Sequence, residues 1–81
     1  MLSKVQKLEF CIDILERKKN AAEAKLKDYE WKKENDITLS SSHFNRVLKK
    51  IDDYRDIVES YEYSLIILKE QMSGLKKGWL N

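Results

Sequence analysis

The chain has 81 residues, enough for one small domain that buries only about 60% of the surface its unfolded form exposes. Its 16 basic and 14 acidic side chains leave a net charge of +2, which lacks the strong basic excess typical of nucleic-acid-binding domains. One cysteine, no signal-like apolar run at the start and no apolar run long enough to span a bilayer predict a cytoplasmic protein that does not enter membranes.

Breakers of regular structure are missing from most of the chain. Proline is absent, and the only glycines are Gly74 and Gly78. Charged residues make up 37% of the chain, against about 25% in average globular domains. This composition favours long, uninterrupted helices with few buried positions.

The first predicted helix opens with Ser3 and Gln6 as a capping box, in which each side chain accepts a hydrogen bond from the other residue's backbone N–H. Apolar residues then recur at spacings of three and four, at the a and d positions of a heptad: Val5, Leu8, Ile12, Leu15, Ala22, Leu26 and Tyr29. Two a positions carry Lys19 and Lys33, which would fix the register at some cost in stability. We expect this helix over about residues 3–34.

Charges flank this apolar row in two columns. The e positions are all glutamate, and the g positions are lysine except for Cys11, which we expect to be half-buried and inert. The two columns comprise Glu9, Glu16, Glu23 and Glu30 on one side and Lys4, Lys18, Lys25 and Lys32 on the other. Such columns are typical of a coiled-coil seam, the row of a and d side chains where two helices meet.

A short polar connection and a second helix follow. The connection covers about residues 35–41, and one of its serines is expected to cap a helix over about residues 42–76. That helix alternates spacings of three and four without interruption, through Phe44, Val47, Ile51, Tyr54, Val58, Tyr61, Leu65, Leu68, Met72, Leu75 and Trp79. Gly74 and Gly78 are suited to fraying and a C-cap at its end.

These elements predict an all-α fold, a long antiparallel two-helix coiled-coil hairpin in a single domain over residues 1–81. With the turn near residue 40, Leu26 should face Tyr54 and Ala22 should face Val58. Several apolar side chains lie outside the seam, and a two-helix hairpin cannot bury them alone. We expect Phe10, Ile14, Ile57, Tyr63, Ile66 and Ile67 to bind protein, either in a homodimer that forms a four-helix bundle or in a complex with a different protein.

The loop end of the hairpin supports an alternative function. Five basic residues gather there near Trp31 and could contact nucleic-acid phosphates: Lys32, Lys33, Arg46, Lys49 and Lys50. Glu30, Glu34 and Asp36 are interspersed and weaken the positive field. An accessory nucleic-acid-binding protein is therefore an alternative to a protein-binding module.

The residues that could act in catalysis or bind a metal are better explained as solvent-exposed surface residues. Helix 2 has an acidic stretch around Asp52, Asp56 and Glu59, but carboxylates without histidine at metal-ligand spacing are typical of a solvated face. His43 lies beside Ser41 and Ser42, and no acid is placed to orient it as a general base. We therefore expect no catalytic residues, no metal and no cofactor.

Residues 41–48, Ser-Ser-His-Phe-Asn-Arg-Val-Leu, resemble a Ser-Gln-x-Leu-Asp-x-Leu-Ile motif. That motif begins the second helix of small bacterial aspartyl-phosphate phosphatases of the sporulation-regulator type, which are also helical hairpins. Ser42 stands in place of the glutamine and Asn45 in place of the aspartate. The resemblance implies a degenerate regulator of that type as a remote alternative.

The favoured prediction is a non-enzymatic protein–protein interaction module, a small adaptor, assembly factor or inhibitor acting through its helical faces. Small lysine-rich helical proteins are common products of phages and mobile elements, so an inhibitor of a host enzyme is one form of this hypothesis.

Overall fold

A computed structural model describes residues 1–35 and 40–78, which form two α-helices packed against each other. Helix α1 covers Lys4–Asn35 and helix α2 covers Ser41–Lys76, with no strand in the described part of the chain. The predicted all-α hairpin is thereby confirmed. Most of the predicted connection, residues 36–39, and the last predicted seam residue, Trp79, lie outside the described residues.

Side chains satisfy the backbone donors that begin each helix. The backbone N–H of Ser3 donates to Gln6 Oε1 at 2.9 Å, and the N–H of Gln6 donates to Ser3 Oγ at 3.1 Å, so the predicted capping box is formed. At α2, the capping serine is Ser40, whose Oγ accepts from the N–H of His43 at 3.3 Å. These bonds set where each helix starts.

The end of α2 is closed by backbone hydrogen bonds in its last turn. Gly74 does not fray the helix, because α2 continues through it to Lys76 and buries it. The N–H of Gly78 donates to the carbonyl of Leu75 at 3.1 Å, and Gly78 itself adopts a φ of 78°. This left-handed conformation is the one in which glycine most often ends a helix.

The core is the predicted seam, and its members are small or branched. The buried apolar side chains are Ile12, Ala22, Val47, Ile51, Val58 and Leu65, all at a or d positions. Ile51 is the most completely buried of them, at 3% exposure. The hydrophobic periodicity therefore identified the core without needing the loop geometry.

Contacts across the seam agree with the expected antiparallel alignment. Tyr54 stacks on Tyr29, with ring centroids 5.7 Å apart, and also shares a surface groove with Ala22 and Lys25. Tyr54 thus lies among residues 22–29, where the predicted pairing with Leu26 places it. The hairpin measures 57 × 20 × 16 Å, so its core is a single layer of side chains. Within the described helices, no stretch is long and apolar enough to cross a bilayer.

Candidate protein-binding surfaces

Six apolar side chains predicted to bind protein are exposed on the hairpin. They are Phe10, Ile14, Ile57, Tyr63, Ile66 and Ile67, with Tyr63 at 69% and Phe10 at 60% exposure. Trp31 is also exposed, while Leu48 is half-buried beside the seam. Single exposed apolar residues are ordinary on protein surfaces, so the arrangement of these side chains on the hairpin decides whether they can act together.

One side of the seam is closed by ion pairs, and we call it the glutamate flank. Its α1 members are Glu9, Glu16, Glu23 and Glu30, and its α2 members are Arg55, Glu62, Lys69 and Lys76. Three carboxylates of this flank reach across to α2. Lys69 Nζ lies 3.0 Å from Glu16 Oε1, while Arg55 with Glu30 and Lys76 with Glu9 are each 3.8 Å apart. Each pair is partly solvated and adds little to stability, but together they favour one alignment of the helices.

Glu23 is the exception on this flank. It pairs with Lys19 on its own helix at 3.7 Å. Arg55, Lys69 and Lys76 are spaced by multiples of seven along α2, and the position between Arg55 and Lys69 in this row is Glu62. A fourth interhelical ion pair is therefore missing, because both of its positions, Glu23 and Glu62, carry carboxylates. Half-buried Lys19 lines a groove with Glu62. This explains how the chain tolerates a lysine in its seam: the amine lies near the carboxylates of the flank while its stem covers apolar surface.

The opposite side of the seam has a different character, and we call it the lysine flank. It consists of Lys18 and Lys25 on α1 with Ile57 and Ser64 on α2. Neither lysine takes part in an ion pair with any described residue. The reason is that α2 offers an isoleucine and a serine at the facing positions instead of carboxylates.

An open groove of about 370 Å³ runs into the seam on the lysine flank. It is lined by Ala21, Ala22, Tyr54, Ile57 and Tyr61, with Lys18 and Lys25 beside them. The groove exists because Ala22 is the smallest side chain in the seam and sits among larger neighbours. Sequence reasoning did not predict this groove, although the signal was present as one alanine among branched and aromatic a and d residues.

The six predicted binding residues do not form one continuous patch. Ile66 lines a groove with Glu62 and Lys69, on the glutamate flank. Ile67 lies three residues after Ser64 of the lysine flank, one helical turn away, and so is on the lysine side of α2. Ile14, four residues before Lys18, faces the lysine flank from α1. Adjacent residues Ile66 and Ile67 are about 100° apart around α2, and therefore lie toward different flanks of the seam.

Tyr63 and Phe10 lie farthest from the seam. Tyr63 lines a shallow acidic depression with Asp56, Glu59, Ser60 and Ser64 on the outer side of α2. Phe10 lies four residues before Ile14 on the outer side of α1.

The loop end carries the predicted basic cluster in a weakened form. Lys32 is engaged within α1, with Nζ 3.5 Å from Asp28 Oδ2 and 5.3 Å from the centroid of the Tyr29 ring. The other members take part in no ion pair within the described residues: Lys33, Arg46, Lys49 and Lys50. Exposed Trp31 lies one residue before Lys32. Asp36, expected to dilute this charge, lies outside the described residues.

Cys11 is exposed, so the prediction of a half-buried thiol is wrong. The reason is its short side chain, which cannot reach over the seam from a flanking position as the long stem of a lysine can. His43 is exposed as well, and its backbone N–H serves the cap of α2. The acidic stretch of α2 forms no cluster of three potential metal ligands in the described part of the chain.

The chain matches no protein-family model, and comparisons with curated proteins and with solved structures found no match. The resemblance of residues 41–48 to the aspartyl-phosphate phosphatase motif therefore rests on those eight residues alone.

Proposed function

We propose that the protein is a non-enzymatic protein–protein interaction module that acts through the exposed faces of its hairpin. The observation that carries this proposal is the exposure of Phe10, Ile14, Ile57, Tyr63, Ile66 and Ile67 on a body with a single buried layer. Covering a large apolar side chain contributes about 1.5–3 kcal/mol, so a partner that buries even a few of them gains a substantial part of its binding energy.

A second copy of the chain is the simplest binding partner for these exposed faces. Two hairpins that pack face to face make a four-helix bundle, in which each helix buries two sides instead of one. The gain in buried apolar surface is large for this chain, because the isolated hairpin leaves Tyr63, Ile66 and Ile67 exposed around buried Leu65 on α2. Apolar residues that remain uncovered after pairing would serve a different protein, as an adaptor, assembly factor or inhibitor requires.

The test is the molar mass in solution together with a variant that removes the apolar surface. Sedimentation equilibrium should give a mass above the 9.7 kDa of one chain. Changing Ile66 and Ile67 together to lysine should return the mass to one chain while the helical circular dichroism stays unchanged. A wild type that remains at the mass of one chain at every concentration contradicts self-association.

Nucleic-acid binding is a second candidate, favoured by the basic residues beside exposed Trp31 at the loop end. Phosphate contacts release counterions, so such binding weakens steeply as salt rises. A salt-dependent gel shift on DNA or RNA that disappears in Lys49→Glu with Lys50→Glu would support it. No shift at low salt would contradict it.

A further inference from the structure

The two flanks of the seam make different demands on a partner. On the glutamate flank, three carboxylates of α1 form interhelical ion pairs with basic residues of α2. On the lysine flank, Lys18 and Lys25 pair with no carboxylate of the described residues, and the groove over Ala22 is open. An approaching surface therefore finds unpaired cations beside uncovered apolar groups on the lysine flank.

The surface around the lysine flank is apolar and small. On α1, Ile14 and Ala21 lie on the same side as Lys18 and Lys25, at helical spacings of three and four. On α2, Ser60, Ser64 and Ile67 follow Ile57 at spacings of three, four and three. Alanine and serine let two helices approach closely, while the isoleucines supply the area to be buried.

The same face of α2 carries an acid that the lysines lack. Asp53 lies four residues before Ile57, on the same side of the helix. Its carboxylate is exposed and takes part in no ion pair with a described residue. Each hairpin thus presents unpaired cations on α1 and an unpaired anion on α2, around one apolar face.

A two-fold axis parallel to the long axis of the hairpin, relating two copies, brings the lysines of one copy to the acidic helix of the other. Such a rotation keeps every residue at its height along the hairpin but exchanges the helices, so α1 of one copy lies over α2 of the other. Lys25 shares a groove with Ile57, so Asp53, about one turn before Ile57, lies within about a turn of the height of Lys25.

Apolar residues meet under the same rotation. Because the helices are antiparallel, the ion pair between Glu16 and Lys69 places Ile14 level with about residue 71, within about one turn of Ile67. The rotation therefore brings Ile14 of one copy to within about one turn of Ile67 of the other, twice in a symmetric dimer. A face of 57 × 20 Å, roughly 1,100 Å², also exceeds the ~800 Å² that each partner buries in a standard stable interface.

We propose that the lysine flank is the dimer interface of this protein, occupied by a second copy with α1 against the partner's α2. Lys25 of each copy then faces Asp53 of the other. This assignment rests on the proposed function, since it specifies which face the self-association uses. It leaves Phe10, Tyr63 and Ile66 outside the four-helix bundle, where they remain available to a different protein.

Two adjacent residues provide a matched pair of variants. Ile67→Lys places a charge in the interface and should weaken dimerisation at least tenfold, measured by sedimentation equilibrium. Ile66→Lys makes the same change one residue away, on the glutamate flank, and should leave the dimer unchanged. Ile66 is the more exposed of the two, at 56% against 38%, so exposure alone predicts the reverse order. Helicity measured by circular dichroism controls for unfolding in both variants.

Complementary charge reversal tests the pairing itself. Lys25→Glu alone, and Asp53→Lys alone, should each weaken the homodimer about tenfold, because like charges then meet at both symmetric sites. Mixing the two variants should restore dimerisation. In the mixed dimer, the carboxylate introduced at position 25 of one chain meets the lysine introduced at position 53 of the other, and the remaining native Lys25 meets native Asp53. A mixture no tighter than its components overturns the pairing.

The outcomes separate this inference from the function on which it rests. A wild-type dimer that Ile66→Lys dissociates and Ile67→Lys does not would place the interface on the glutamate flank and overturn the assignment alone. A dimer that survives both single variants overturns it as well. A wild type that is monomeric at every concentration removes self-association, and the assignment falls with it.

Discussion

Replacing Ile51 with alanine tests whether the seam is the only core of this hairpin. Ile51 is 3% exposed, and its truncation removes the equivalent of about three methylenes, worth roughly 0.8 kcal/mol each by transfer. The cavity left behind adds to this loss, so the free energy of unfolding should fall by about 3 kcal/mol. For a domain of this size that corresponds to a drop of roughly 15 °C in Tm.

The assay is urea and thermal unfolding followed by circular dichroism, with wild type and variants at one protein concentration because dimer dissociation contributes to the transition. Ile66→Ala is the matched control, since Ile66 is on the same helix but largely exposed. It should change stability by no more than about 0.5 kcal/mol. Equal losses in the two variants would refute the argument, because the core would then extend beyond the seam.

Three further predictions concern the cap, the glutamate flank and the thiol. Ser40→Ala removes the acceptor for the N–H of His43 and should cost about 1 kcal/mol in urea unfolding, whereas Ser40→Gly should cost only a few tenths; equal costs would argue against the cap. Glu62→Lys places a cation in the one acidic position of the α2 row and should raise the unfolding free energy by about 0.5 kcal/mol in low salt; a gain that persists in molar salt would not be electrostatic. Cys11 lies on the lysine side of α1, so its alkylation should slow as protein concentration rises through the dimerisation range; a rate independent of concentration would leave Cys11 outside the interface.

The sequence predicted the helices and their core because both follow from local periodicity. The spacing that placed Ile12, Val47 and Leu65 in the seam needs no knowledge of the loop, since the a and d positions of each helix are fixed by its own repeat. The capping box of Ser3 and Gln6 was predictable for the same reason. Which serine caps α2 was not, because each serine of the connection can accept the same hydrogen bond.

The distribution of the exposed residues over two faces was harder to predict. Ile66 and Ile67 look alike in the sequence, and the groove that Ile66 shares with Glu62 and Lys69 shows which flank Ile66 faces. The groove over Ala22 and the exposure of Cys11 depend on side-chain lengths on both helices, which a pattern along one helix does not contain.

The central claim is that the faces left exposed by the hairpin are interaction surfaces, first of all for a second copy. Sedimentation equilibrium of the wild-type chain, from micromolar to millimolar concentration, tests it most directly. The account predicts a mass that rises toward twice 9.7 kDa as the protein is concentrated, with a helical signal that does not change. A mass of 9.7 kDa over the whole range would contradict it.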